Sequence, residues 1–147
     1  VTSPEQGDPL TAFNEMLSEV IDTIFEAKQA LRRVSSSSEL HDVFSHLFDD
    51  LVRWKTLLSD RDQALGVSAL SFISSAAGRR PPNLWPGNPT FEEVCTLVDE
   101  HLFRLANELP VVLSRQVDEG SRNDLAEVLR GINVQRDVLA KLMADDH

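Results

Sequence analysis

Leu40, Phe44, Leu47, Leu51, Trp54 and Leu58 follow one another at steps of four, three, four, three and four. An α-helix turns about 100° per residue, so such steps return to one side of the helix. The stripe lasts for nearly three heptads, which suits a long helix packed at a shallow angle on others of its kind. A half-buried strand would alternate instead, and no stretch of the chain does so convincingly. The rest of the sequence must therefore supply helices long enough to cover this stripe.

Three further segments do. Residues 9–34 carry Leu10, Phe13, Leu17, Val20, Ile24 and Leu31 on one face, with Glu15, Glu19, Asp22 and Glu26 on the opposite one. Asp8 and Pro9 form an N-cap and first-turn pair. The serine run 35–38 interrupts the pattern, and Ser36 with Glu39 has the capping-box spacing that starts a second helix. That helix runs to Gly66, which suits a left-handed C′ position. Thr90 and Glu93 repeat the capping spacing and open a third helix with Phe91, Val94, Val98, Leu102, Leu105 and Leu109 inward. Pro110 lies inside it and should kink or break it. After Gly120 and Ser121, a last helix presents Leu125, Val128, Leu129, Ile132, Leu139, Leu142 and Met143. Gly131 in its middle costs about 1 kcal/mol against alanine.

Four long amphipathic helices predict an all-α fold, a four-helix bundle forming one domain over residues 1–147, with residues 1–8 as an N-terminal tail. Residues 67–89 are of another kind. "VSALSFISSA" predicts a short helix, and "GRRPPNLWPGNPT" holds four prolines and two glycines. A connection so long needs a reason. It has the reach to run back along the bundle, which would make the second and third helices parallel.

The formal charge of −10 argues against phosphate-backbone binding to nucleic acid and against an anionic membrane surface. No apolar run approaches the roughly 20 residues that span a bilayer. The opening residues lack a signal-peptide pattern, and Cys95 is the single cysteine, so no intrachain disulfide forms. The expected setting is cytoplasmic.

From "FNEMLSEVIDTIFEAKQAL" to "LAEVLRGINVQRDVLAKLM" the order of elements resembles the ferritin-like superfamily, and is most similar to its small bacterial stress-related members of unknown function. The resemblance implies two helical pairs joined by a long crossover. Ferritin-like di-iron centres use inward glutamates and Glu-x-x-His motifs. This chain has no Glu-x-x-His, and it offers Ile24, Lys28 and Arg136 where the family pattern has ligands. The resemblance thus implies the bundle without the di-iron centre. Neither a metal nor any other cofactor is expected.

The remaining candidates are single residues. His41 and His46 are five apart, about 140° around the helix, and read as part of a solvated face with Asp42 and Asp49. Arg136 projects into the apolar stripe of the last helix, so it needs a partner on the third helix; Glu108 is favoured over Asp99. His101 reads as a boundary residue with Glu108 seven residues on. Arg136, Glu108, His101 and Lys28 make up a candidate interior polar site. Cys95 reads as a buried, inert thiol. Leu97, Phe103 and Val111 lie off the third-helix seam. Together with Trp85 of the crossover they form a candidate interface, with core packing beneath the crossover as the other use of these residues.

The expected function is that of a non-catalytic bundle acting through self-association as a homodimer or through a protein partner. The competing readings are a ferritin-like metal or oxidative-stress protein and a small-ligand site between helices near Arg136.

Overall fold

The computed structural model describes residues 9–34, 38–66 and 89–145, whose regular structure is four helices and no strand. They are α1 (Pro9–Arg33), α2 (Glu39–Ala64), α3 (Phe91–Arg115) and α4 (Glu119–Asp145). Asp8, the short helix expected in the connection and Trp85 lie outside the described residues.

The helix ends have local causes. Pro9 opens α1 at a position where a backbone N–H would have no helical partner, and Arg32 and Arg33 meet the negative end of the helix dipole. Ser38 caps α2, its hydroxyl accepting from the His41 N–H at 3.1 Å. The cap is thus two residues beyond the expected Ser36, which lies outside the described residues. Ser38 stands three residues before the N–H it bonds, the same reach the capping box uses. At the other end Leu65 N–H bonds Arg61 O at 3.0 Å, and Gly66 takes φ +90°, a conformation open to a residue without Cβ. Thr90 and Glu93 complete their capping box, with the Glu93 N–H donating to the Thr90 hydroxyl at 3.2 Å and the Thr90 N–H to the Glu93 carboxylate at 3.3 Å. Asp118 precedes α4 and accepts from Ser121 N–H at 2.8 Å and from its hydroxyl at 3.0 Å.

Pro110 does not break α3, which runs on to Arg115. Leu109 and Val112, on either side of it, are both buried. Their burial offsets the hydrogen bond that proline cannot make.

The expected α2 stripe is buried from Leu40 to Leu58, with Trp54 its largest side chain. On α1 the stripe turns away from its expected line. Phe13, Leu17 and Val20 are buried, but beyond them Thr23, Glu26, Ala27 and Ala30 face the core, while Ile24 and Leu31 are only partly buried. Small alanines let neighbouring helices come close, and they carry too little hydrophobicity to mark the face in the sequence. Glu26, placed on the wet face by the pattern, is 4% exposed.

Long-range polar contacts give the helix directions. The Gln116 amide donates to Pro9 O at 2.9 Å, so the end of α3 meets the start of α1. Asn14, with its amide nitrogen turned to the carboxylate, donates to Asp62, so the end of α2 meets the start of α1 as well. Both α2 and α3 therefore oppose α1 and run parallel to each other. Arg61 meets Asp124 at 2.8 Å and Gln135 meets Asp50 at 2.7 Å, which sets α4 against α2. Around the bundle the order is α1, α2, α4, α3, and the diagonal pairs scarcely touch. The C-terminal end of α2 and the N-terminal end of α3 therefore lie at opposite ends of the bundle. Among the described residues no helix is long and apolar enough to cross a membrane.

Candidate functional site

The inward side of α3 is the seam Val94, Val98, Leu102, Leu105, Leu109 and Val112. Its outward side has a second periodic line. Thr96, Glu100, Phe103, Asn107, Pro110 and Ser114 succeed one another at steps of four, three, four, three and four, and all are exposed. Phe103 keeps 51% of its surface in solvent, and Val111 beside the line keeps 50%. Leu97, the third expected interface residue here, is partly buried against the core. The helix beneath this face is fixed at both ends, by the Thr90 box and by Gln116, whose amide also reaches Val112 O at 3.2 Å.

Arg136 of α4 lies against this face. Its guanidinium carbon stands 5.0 Å from the centre of the Phe103 ring, a cation–π distance. Its partner is Asp99, with Nε to Oδ1 at 3.0 Å and Nη2 to Oδ2 at 3.5 Å. This corrects the choice of Glu108. Asp99 and Glu108 are nine residues apart, about 180° around α3, so they occupy opposite flanks. Asp99 faces α4. Glu108 faces α1, where burial first and Glu19 second push its carboxyl upward from the ordinary range, with Arg104 opposing. Arg136 is also less buried than its place in the stripe implies, its side chain 30% exposed and that of Asp99 36%. A groove of about 290 Å³ beside the pair is lined by Asp99, Asn133, Arg136, Asp137, Ala140 and Met143. Two carboxylates, Asp99 and Asp137, line it with one guanidinium, which makes it a poor anion pocket.

The expected interior polar site does not come together. Arg136 is on the α3–α4 side. His101 points to α1, where its Nε2 is 3.7 Å from the buried Glu26 Oε2. Glu108 lies on the same flank nearer the other end, and Lys28 is exposed on α1. Glu26 and His101 provide two donors to a cation. Among the described residues no three His, Cys, Asp or Glu side chains gather where they could hold a metal ion. A carboxylate-bridged di-metal centre needs more donors than this pair, so the described residues do not fit one. His46 is exposed and His41 partly so, each on α2. Cys95 is fully buried.

Two buried acids escaped the sequence reading. Asp62 is 3% exposed, and burial pushes its carboxyl up to about 6. Its signal was in the chain: Asp62 stands four residues after Leu58 and continues the α2 stripe. Glu26 left a fainter one, since only alanines and Thr23 mark the face it shares.

Comparison with protein-family models, with curated proteins and with solved structures finds no match to this chain.

Proposed function

We propose that this chain is a non-catalytic helical bundle that works by associating with protein through the outward face of α3. The observation that carries the reading is the pair Phe103 and Val111, half exposed on a face nearly without net charge. From Thr96 to Ser114 the exposed residues include one acid, Glu100, and one base, Arg104. The chain as a whole carries −10. Aromatic side chains in neutral surroundings are the usual anchors of protein interfaces, and charged ones are depleted there. Arg136 holds the Phe103 ring from one side, which reduces the ordering cost of binding.

The polar groups of the interior support the non-catalytic part, because they are engaged with one another: Arg136 with Asp99, Arg61 with Asp124, His101 with Glu26, Asp62 with Asn14. The ferritin-like architecture belongs to the same proposal. Parallel α2 and α3 are what a connection running lengthwise between them requires. A cytoplasmic setting fits a chain whose single cysteine is buried in its core.

A photoreactive benzoylphenylalanine at position 103 tests the reading, with the same group at exposed Thr56 of α2 as control. Position 103 should give discrete covalent protein adducts at several times the control yield. Equal yields from the two faces would overturn it.

A further inference from the structure

We propose that Asp62 and Asn14 form a proton-controlled latch, which holds the last turn of α2 on α1 while Asp62 carries a proton and releases that turn when Asp62 is ionised.

The latch follows from what the turn buries. As far as Leu58, α2 is held in the bundle by apolar side chains. Beyond Leu58 the one buried residue of the helix is Asp62. Gln63, Ala64 and Leu65 are exposed. The turn therefore has no apolar anchor of its own, and a helix end without one frays readily. Two polar contacts tie it down. Arg61 reaches Asp124 of α4 at 2.8 Å, and Asp62 accepts from the amide of Asn14 of α1.

A carboxyl that is 3% exposed needs either a cation or a proton. The described residues packed around it offer no cation. α1 presents the neutral Asn14, with exposed Glu15 next in sequence, and it carries no base between Pro9 and Ala27. α4 brings Asp118 and Asp124, and both act on Arg61. At the end of α3, Arg115 is exposed, and the Gln116 amide goes to Pro9 O and Val112 O. Arg61 itself projects about 100° away from Asp62 around α2, toward α4. Asn14 can satisfy a neutral acid, but it cannot neutralise an ion.

Burial accordingly raises the Asp62 carboxyl from 3.8 to about 6. In the released turn the group is hydrated and returns to its ordinary value. The held form thus binds the proton more tightly, and opening is favoured as pH rises. A shift of this size increases the opening equilibrium about tenfold between pH 5 and 7.5. Leu58, fully buried, is where the unwinding stops.

Hydrogen exchange followed by NMR on the full chain tests the latch. The Leu65 N–H, bonded to Arg61 O, and the Gly66 N–H, bonded to Gln63 O, report the turn; the amides of Leu51 and Trp54 report the core. After correction for the intrinsic rate, protection at Leu65 and Gly66 should fall about tenfold from pH 5 to 7.5. The fall should level off where the Asp62 carboxyl carbon signal finishes titrating. At each pH these two amides should be less protected than Leu51 and Trp54, and their exchange should depend little on urea. In Asp62→Asn, which keeps the shape and cannot ionise, their protection should change by less than about twofold. Protection at Leu65 and Gly66 that is indifferent to pH in the wild type overturns the latch. Exchange equal to that of Leu51 and Trp54 at each pH also overturns it, because the whole bundle would then be opening. The wild-type pH profile persisting in Asp62→Asn overturns Asp62 as the proton carrier.

Discussion

Gly131 lies under the indole of Trp54. A Cβ built there would overlap the ring, with Cε2 only 2.9 Å away. In a bare helix alanine is better than glycine by about 1 kcal/mol, so the two effects oppose each other, and the magnitudes decide. Trp54 is 1% exposed in the α2 stripe, and a large ring in a packed core has little room to retreat. Overpacking of this kind costs about 1–3 kcal/mol. Gly131→Ala should therefore lower stability by about 1–2 kcal/mol in urea unfolding. In a Trp54→Leu background the same change should be neutral or stabilising, because the obstacle is gone and the propensity gain remains. At Arg136 the magnitudes run the other way. With both side chains about a third exposed, the pair with Asp99 is screened by water. A double-mutant cycle of Arg136→Met and Asp99→Asn should give a coupling of about 0.5–1 kcal/mol, the range of partly exposed pairs, and not the several kcal/mol of a buried one. The sequence put Arg136 inside the apolar stripe as a mostly buried residue, and its side chain is 30% exposed. Nor could the sequence tell which flank of α3 faces α4, and Asp99 and Glu108 lie on opposite flanks.

Among the elements, α3 carries the most conflict between local rule and tertiary context. Pro110 removes one backbone hydrogen bond from the middle of the helix, yet α3 continues to Arg115. The cost is borne by the core residues around it. Pro110 itself is exposed, so no packing depends on its ring. Pro110→Ala should raise stability by about 1–3 kcal/mol, since interior proline costs about 3 kcal/mol against alanine and the surroundings already absorb part of it. The comparison belongs at low protein concentration, where association does not contribute. Helix limits were largely legible because they rest on local chemistry: the Thr90–Glu93 box and Gly66 perform the roles that their spacing and type predict. The course of the buried face along α1 was not. A stripe read from large side chains misses a face built from Ala27, Ala30 and Thr23, and with it the burial of Glu26. Exposure on α3 was half legible. Phe103 and Val111 were seen to be off the seam, but whether the residues after Gly66 cover them could not be read from periodicity.

At the scale of the whole molecule, one end of the bundle gathers the start of α1, the end of α2, the end of α3 and the start of α4, and with them Asn14, Asp62, Gln116, Asp118 and Asp124. The parallel course of α2 and α3 brings both their C-terminal ends here. Arg61 answers Asp124, and the Asp124 carboxylate in turn raises the affinity of the guanidinium for its proton. Asp62 has the amide of Asn14, which leaves its burial uncompensated by charge. Its carboxyl is raised from 3.8 to about 6, so the folded chain holds a proton there that the unfolded chain has already released. Stability from this group is complete below the unfolded value, and it is lost as pH rises through the window from 3.8 to about 6. Glu108 is raised as well and acts in the same direction. Asp118 acts oppositely. Its hydrogen bonds from Ser121 lower its value below 3.8, so the α4 cap is kept above that point and weakened as acid protonates it. The protein should therefore gain stability as pH falls from 7 to about 5 and lose it again below about 4. Asp62→Asn removes the titrating group and keeps its shape. It should raise stability at pH 7 by about 1–2 kcal/mol and flatten the rise between pH 7 and 5, leaving the loss in stronger acid unchanged. Urea unfolding of both proteins at pH 4, 5, 6 and 7 reads the difference. A wild-type stability that climbs steadily from pH 5 to 7, or an Asp62→Asn variant with the same pH profile as the wild type, would show that the buried carboxyl does not govern the molecule's response to acid.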